Sequence, residues 1–365
     1  MKIGIITYHR AHNYGAVLQC YALSTMLIKL GHEVEVIDYY PSYFQSQYAL
    51  FSLTTFKSLS LKAKIVYLSK FILCMHLKRR RVKVFNEFIN KLPLSQRRYD
   101  STIDEITGYD ALIFGSDQIW NPLLTGGEDK VFSGKIIKNK SLFISYAAST
   151  NPLICDEAHK PYFTGILSRF NAVSVRESSL MNYLNSIVPA STKVALDPVL
   201  LLDKLQWEKI ALLPKENDYL LIYTVPQHKS VRRLADMIAL AKGLKVIEIR
   251  PYVTPKHQKG VLQTTSPNEF LGYFKCASFV VTTSFHGTAF SIKFNKQFIT
   301  LRLGTGVDER AMSLLNSVGL NERMMSSDKL SVPANEIDYS LIVPKLNMLI
   351  DESIDFIKLS LSNES

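Results

Sequence analysis

The sequence predicts an α/β protein of two doubly wound, Rossmann-like domains facing across a cleft. Three observations point there. At 365 residues the chain exceeds the size at which one hydrophobic core usually keeps growing. Short β-branched runs alternate with stretches of helical period, the mark of parallel βαβ units. The same alternation then restarts near residue 219, with enough apolar material (47% hydrophobic residues) to fill a second core.

In the first half, KIGIITY (2–8) predicts a strand, GAVLQCYALSTMLIKLG (15–31) a helix closed by Gly31, and EVEVIDYY (33–40) the next strand. A basic helical insertion follows over about 42–99. DALIFGS (110–116), SLFISYAAS (141–149), AVSVRE (172–177) and KVALD (193–197) continue the strands. In the second half, YLLIYTV (219–225), KVIEIRP (245–251), SFVVTTS (278–284) and QFITLRL (297–303) alternate with helices near 228–242, 267–276, 287–295 and 309–318. The pattern divides the chain into an N-terminal domain over 1–203, a C-terminal domain over 204–338, and a helix within 339–365 that crosses back to the first domain.

Composition narrows the function classes. Cys20, Cys74, Cys155 and Cys276 are scattered, without CxxC or cysteine–histidine spacing, so buried free thiols are expected and a metal site is not. No run of 18 uncharged apolar residues occurs and the start lacks a signal-peptide pattern, so a cytoplasmic protein is expected. The net charge of +11 implies an anionic partner. Its densest source is HLKRRRVKVF (76–85), inside a helix-like region, 57–91, that also carries Ile65, Val66, Phe71 and Ile72. Such a segment suits peripheral contact with an anionic membrane, and equally a solvated helix face. No helix-turn-helix, RNP or zinc module accompanies the charge, so nucleic acid is not an expected partner.

Ligands of open parallel sheets bind at the carboxyl ends of the strands, so polar residues there carry the candidate chemistry. After the first strand, Asn13-Tyr14-Gly15 opens a helix; Gly15 permits close backbone approach of a ligand, although a plain N-cap turn has the same composition. FGSDQIWNP (114–122) gathers Ser116, Asp117, Gln118, Trp120 and Asn121, a set suited to binding a sugar, with Asp117 as a base or hydroxyl ligand or else a helix cap. Arg176, Arg250 and Arg302 close three strands, and Arg310 follows; guanidinium groups so placed can fork onto phosphate or carboxylate, or form surface ion pairs. In TTSFHGTAFSI (282–292), His286 stands where a strand becomes a helix, with Ser284, Gly287 and Thr288 supplying hydroxyl and N–H groups around it. A helix start favours an anion, and an imidazole there can exchange a proton near neutral pH; a capping or core histidine is the rival reading.

These stretches together resemble the polysaccharide pyruvyl transferase family. The matching residues are NYGAVLQCYAL, GSDQIWNP, SYAAS, VSVRE, DPVLL and TTSFHGTAFSIKFNKQFITL, then the pattern R-x7-R-x3-LL-x3-GL over 302–320. The resemblance implies a fold like that of GT-B glycosyltransferases. It also implies that phosphoenolpyruvate, a co-substrate with no further cofactor, donates a pyruvyl group to two hydroxyls of a sugar or lipid-linked oligosaccharide, as in capsule and exopolysaccharide biosynthesis. The family's donor-associated histidine falls on His286. Its arginine two positions earlier does not carry over, because Ser284 stands there, and Arg176, Arg250, Arg302 or Arg310 is expected to replace it. A GT-B glycosyltransferase using a nucleotide sugar, and a non-catalytic glycan or assembly-partner binding protein, are the alternatives.

Overall fold

The computed structural model describes residues 1–100, 106–135, 140–225, 228–256, 258–304, 306 and 308–362. Seven parallel strands form the first sheet: β1 (Lys2–Ile6), β2 (Glu33–Tyr39), β3 (Leu94–Tyr99), β4 (Ala111–Asp117), β5 (Leu142–Ala148), β6 (Ala172–Val175) and β7 (Thr192–Val194), in the order β3-β2-β1-β4-β5-β6-β7. The second holds β8 (Tyr219–Tyr223), β9 (Lys245–Ile249), β10 (Val261–Leu262), β11 (Phe279–Thr282), β12 (Gln297–Arg302) and β13 (Met324–Ser326), in the order β10-β9-β8-β11-β12-β13. Each sheet therefore reverses its winding beside its first strand, which opens a crevice at the carboxyl ends of β1 and β4 and of β8 and β11. This is the pair of doubly wound, Rossmann-like units that the alternation predicted, the GT-B-like fold that the resemblance implied.

Central strands such as YLLIY and ALIFG are buried throughout, as parallel strands covered by helices on both faces must be. The first helix, Tyr14–Lys29, is capped by Asn13, whose side chain accepts from the Gly15 N–H at 2.9 Å. The helix Phe285–Lys293 is capped by Ser284, which accepts from Gly287 N–H. Both helices thus point their N-termini at the crevices.

The two units are joined by specific polar contacts. Arg81, buried, donates to the carbonyls of His12 (3.0 Å) and Gln263 (3.2 Å) and to the Tyr14 hydroxyl (3.2 Å). Tyr14 in turn donates to the Thr265 carbonyl at 2.8 Å and stacks on Phe270 with ring centroids 4.4 Å apart. The last helix, Tyr339–Leu361, returns to the first sheet: Ser353 accepts from the Leu196 N–H at 3.0 Å, and Phe356 lies beside Tyr146 of β5.

Three local expectations are corrected. The basic insertion is not helical to residue 99, because 94–99 form β3, an edge strand on β2. Its charged sequence LSQRRY reads poorly as a strand, yet charge on an edge is what keeps a sheet from pairing further. Within HLKRRRVKVF, Arg81 and Phe85 turn inward, so the stretch is not uniformly a solvated face. Of the four free cysteines, Cys20 and Cys74 are buried, whereas Cys155 and Cys276 are only half-buried. Among the described residues no helix is long and apolar enough to cross a membrane.

Candidate functional site

The carboxyl ends of both sheets converge on a cleft of about 470 Å³, within the range of small-molecule sites. Tyr8, Asn13, Asp117 and Gln118 line it from the first unit; Tyr223, Ser284, His286 and Arg310 line it from the second. Phe44 and Tyr48, from the helix Ser42–Tyr48, add an aromatic wall.

His286 sits one residue inside its helix, so Ser284, not the imidazole, does the capping. Its ring lies flat against the start of the first helix. A Cβ on Gly15 would stand 2.0 Å from His286 Nδ1 and 2.3 Å from Cε1, so only glycine leaves room for the ring. On its other edge, His286 Nε2 is 3.5 Å from Asp197 Oδ2, an ion-pair approach without a hydrogen bond. Gly287 packs as tightly behind it, with room for no Cβ against Thr282.

Asp197 is the hub of a buried network. Arg176 Nη2 is 2.8 Å from Asp197 Oδ2 and donates to Ser116 Oγ at 2.5 Å. Ser116 donates to the Ala147 carbonyl at 2.9 Å, and its own N–H is held by Gln19 Oε1 at 3.2 Å. Burial alone would raise the Asp197 carboxyl, but the Arg176 guanidinium and the His286 ring outweigh it and hold it at about 2. Arg176 also stacks over the Phe285 ring at 4.7 Å, while its Nε and Nη1 are buried without partners among the described residues. Glu177, beside it, is raised by burial and takes the Ser149 hydroxyl as a hydrogen-bond donor.

Arg310, on the helix Asp308–Val318, faces the cleft, and among the described residues its guanidinium has no hydrogen-bond or ion-pair partner. Burial and the nearby Arg176 push its proton affinity down, while the carboxylates of Glu177, Asp117 and Asp197 act in the opposite direction. Asp117 adopts left-handed backbone (φ 80°), where a side chain is strained, and Ala147 on the neighbouring strand does likewise (φ 46°). Gly115 just before has φ 118°, and its Cα lies so close to the Tyr146 carbonyl that a Cβ would reach 2.3 Å.

Of the residues singled out in the sequence, Asn13, Asp117, Gln118, Ser284, His286 and Arg310 line the cleft, and Ser116 and Arg176 lie directly beneath it. Others are elsewhere. Trp120 is fully buried, with its indole N–H donated to the Phe132 carbonyl, so it is core and not a sugar platform. Asn121, not Asp117, caps the short helix after β4. Tyr14 anchors the two units to each other, and Gly15 supports His286 rather than offering a bare backbone. Thr288 is buried against Thr300. Arg250 pairs with Glu248 at 2.7 Å in a separate cavity, and exposed Arg302 is not among the cleft-lining residues. Asp197 was missed as a site residue, although a carboxylate closing the run KVALD just before proline is the kind of signal that marked Asp117.

A histidine-bearing cleft between two Rossmann-like units defines a GT-B-like α/β protein. Residues 13–304 match the family described as Polysaccharide pyruvyl transferase, and the chain belongs to that family. The family acts as a transferase on polysaccharide. No curated protein matches the chain. Among solved structures it is similar to the UDP-GlcNAc 2-epimerase of Methanocaldococcus jannaschii, with 12% identity, 99% of each chain covered and a TM-score of 0.48. It is also similar to a putative UDP-N-acetylglucosamine 2-epimerase of Listeria monocytogenes (10% identity, 98% of this chain and 90% of that one, TM-score 0.45). A third is the UDP-GlcNAc 2-epimerase of Neisseria meningitidis (12% identity, 99% and 94%, TM-score 0.45).

Proposed function

We propose that the protein transfers a pyruvyl group from phosphoenolpyruvate to two hydroxyls of one sugar in a bacterial surface-polysaccharide precursor, releasing phosphate. The observation that carries this is the meeting of His286 in one cleft with Arg310, whose guanidinium has no hydrogen-bond or ion-pair partner among the described residues, above the buried Arg176–Asp197 pair. In this reading Arg310 supplies the positive charge missing at Ser284, backed by Arg176, and the donor's phosphate or carboxylate is its counter-ion.

The chemistry balances as follows. An acid, His286, protonates C3 of the enol, and positive charge develops at C2. A sugar hydroxyl adds to C2 while Asp117 accepts or orients its proton. The C2–O bond to phosphate breaks, and a second hydroxyl closes the ketal. Of the two hydroxyl protons, one is accounted for in the new methyl group and the other in the released phosphate. Asp197 does not touch the reacting atoms; it holds the His286 ring and neutralises Arg176.

The test is phosphate release and ketal formation by the wild type and by His286→Ala. Loss of both in the variant, with the fold intact by circular dichroism, is expected; full retention refutes the role of His286. A second reading, a glycosyltransferase using a nucleotide sugar, is favoured by the cavity of about 560 Å³ around Arg250, where Lys229, Arg232 and Lys259 could face a diphosphate. Thermal shifts separate the two. Stabilisation by phosphoenolpyruvate and not by nucleotide sugars supports pyruvyl transfer, and the reverse removes it. Affinity for glycans without turnover would make the protein a binding module instead.

A further inference from the structure

Between Asp38 and Glu87 the chain has nine lysines and arginines and no aspartate or glutamate. Most of this stretch is the helix Leu61–Ile89 and the short helix Leu53–Ser58 before it. The inner face of the long helix is committed to the protein. Cys74, Arg81, Phe85, Phe88 and Ile89 are buried, and Tyr67 and Phe71 pack edge-on to Phe51 at 5.2 Å. At 100° per residue, Leu61, Ile65, Leu68 and Ile72 fall on the opposite side, within an arc of about 60°. Their exposures are 78%, 64%, 39% and 67%, and Val66 and Leu73 beside them are also exposed. Four aligned aliphatic side chains in water form a patch that a soluble protein does not ordinarily leave uncovered.

The surroundings identify what covers it. Lys62 is exposed at the edge of this face, Lys57 precedes the helix, and Arg79, Arg80 and Lys83 continue outward along it, Arg79 and Lys83 in line with the aliphatic row. A nucleic acid would match the charge but not the aliphatic stripe. A second copy of this surface would meet it with like charge. An anionic lipid bilayer satisfies both parts at once, taking the aliphatic groups into the acyl boundary and the ammonium groups at the headgroups.

We propose that the outward face of this helix, over residues 61–83, docks the protein flat on an anionic bilayer. The surface so defined is some 33 Å long at 1.5 Å per residue. Farther along the same helix Val82 and Asn86 line a cavity of about 330 Å³ with Arg10, Arg98 and Tyr48. Tyr48 also lines the catalytic cleft, so docking sets the first unit's side of that cleft near the lipid surface. The inference goes beyond the proposed reaction, because lipid binding is read without turnover and stands or falls independently of it.

Flotation of the full chain with vesicles decides the matter. Wild type is expected to float with phosphatidylcholine vesicles carrying about one-third phosphatidylglycerol, not with pure phosphatidylcholine, each contacting lysine or arginine contributing roughly fivefold in partition. Raising salt to about 0.5 M, where screening lengths fall below about 5 Å, releases it. The double variant Ile65→Asn/Ile72→Asn loses at least about tenfold in binding while keeping its circular dichroism and elution volume, since these side chains support no core. Absence of flotation at low salt overturns the proposal. So does flotation indifferent to the double variant, or a wild-type dimer that the double variant abolishes without any vesicle binding. Equal affinity of wild type and double variant for an oligonucleotide, with no vesicle binding, assigns the surface to nucleic acid instead.

Discussion

Replacing Gly15 by alanine isolates the contact on which the position of His286 depends. Gly15 is helical and has no positive φ, so alanine brings no backbone cost; helix propensity favours it by about 1 kcal/mol. The new methyl would lie 2.0 Å from Nδ1, 2.3 Å from Cε1 and 2.4 Å from Cγ. Ordinary contact begins at 3.4 Å, so the ring must retreat by about 1.4 Å, away from Gly15. Misplacement of a reacting group by about 1 Å costs on the order of 100-fold in rate. Overpacking adds about 1–3 kcal/mol of destabilisation, partly offset by the helix preference. Gly15→Ala is therefore expected to lower kcat roughly 100-fold and to destabilise by up to about 2 kcal/mol in urea unfolding. The sharper measurement is a double-mutant cycle. In a His286→Ala background the clash disappears, and Gly15→Ala should become neutral or stabilise by up to about 1 kcal/mol. Equal effects on stability in both backgrounds, or wild-type phosphate release by Gly15→Ala, would refute the argument that this glycine exists to seat the ring.

Two further outcomes follow from the buried charges. Asp197 has a folded pKa of about 2, below the ordinary carboxylate value of about 3.9, so its contribution is present above pH 4 and lost as pH falls through 2. The difference corresponds to about 2–3 kcal/mol, and Asp197→Asn should flatten the acid limb of the stability–pH curve by about that amount, measured by denaturant titration between pH 2 and 5. Arg81→Met leaves the carbonyls of His12 and Gln263 without their donor and is expected to cost about 2–4 kcal/mol in urea unfolding, with the transition broadening as the two units uncouple.

The strands that could be read in advance are those buried on both faces, where YLLIY or ALIFG leaves a continuous apolar run. LSQRRY, VL and MMS form strands only because a neighbour already offers unpaired backbone groups, and nothing local encodes that. The same division runs through the site. His286 and Asp117 were visible because polar residues following an apolar run are conspicuous, and Arg310 because it follows the strand-closing Arg302. Trp120 misled because composition says nothing of direction, and its ring turns into the core. Arg250 and Arg302 end strands as predicted, yet β9 and β12 stand one strand outside the β8/β11 pair, where Arg250 lines a separate cavity and Arg302 is exposed. Asp197 acquires its meaning from Arg176 and His286, partners that only the folded arrangement of two sheets brings to it.

The contact between Ser353 and the Leu196 N–H has a consequence for how the protein comes into being. Asp197 leaves the ribosome early, His286 later and Ser353 later still. At about 5–20 residues per second, the roughly 150 residues from Asp197 to Ser353 take on the order of 10–30 s to synthesise. Throughout that interval the nascent first sheet lacks the helix that covers Tyr146. Its apolar face is a natural client for a chaperone until the last helix arrives.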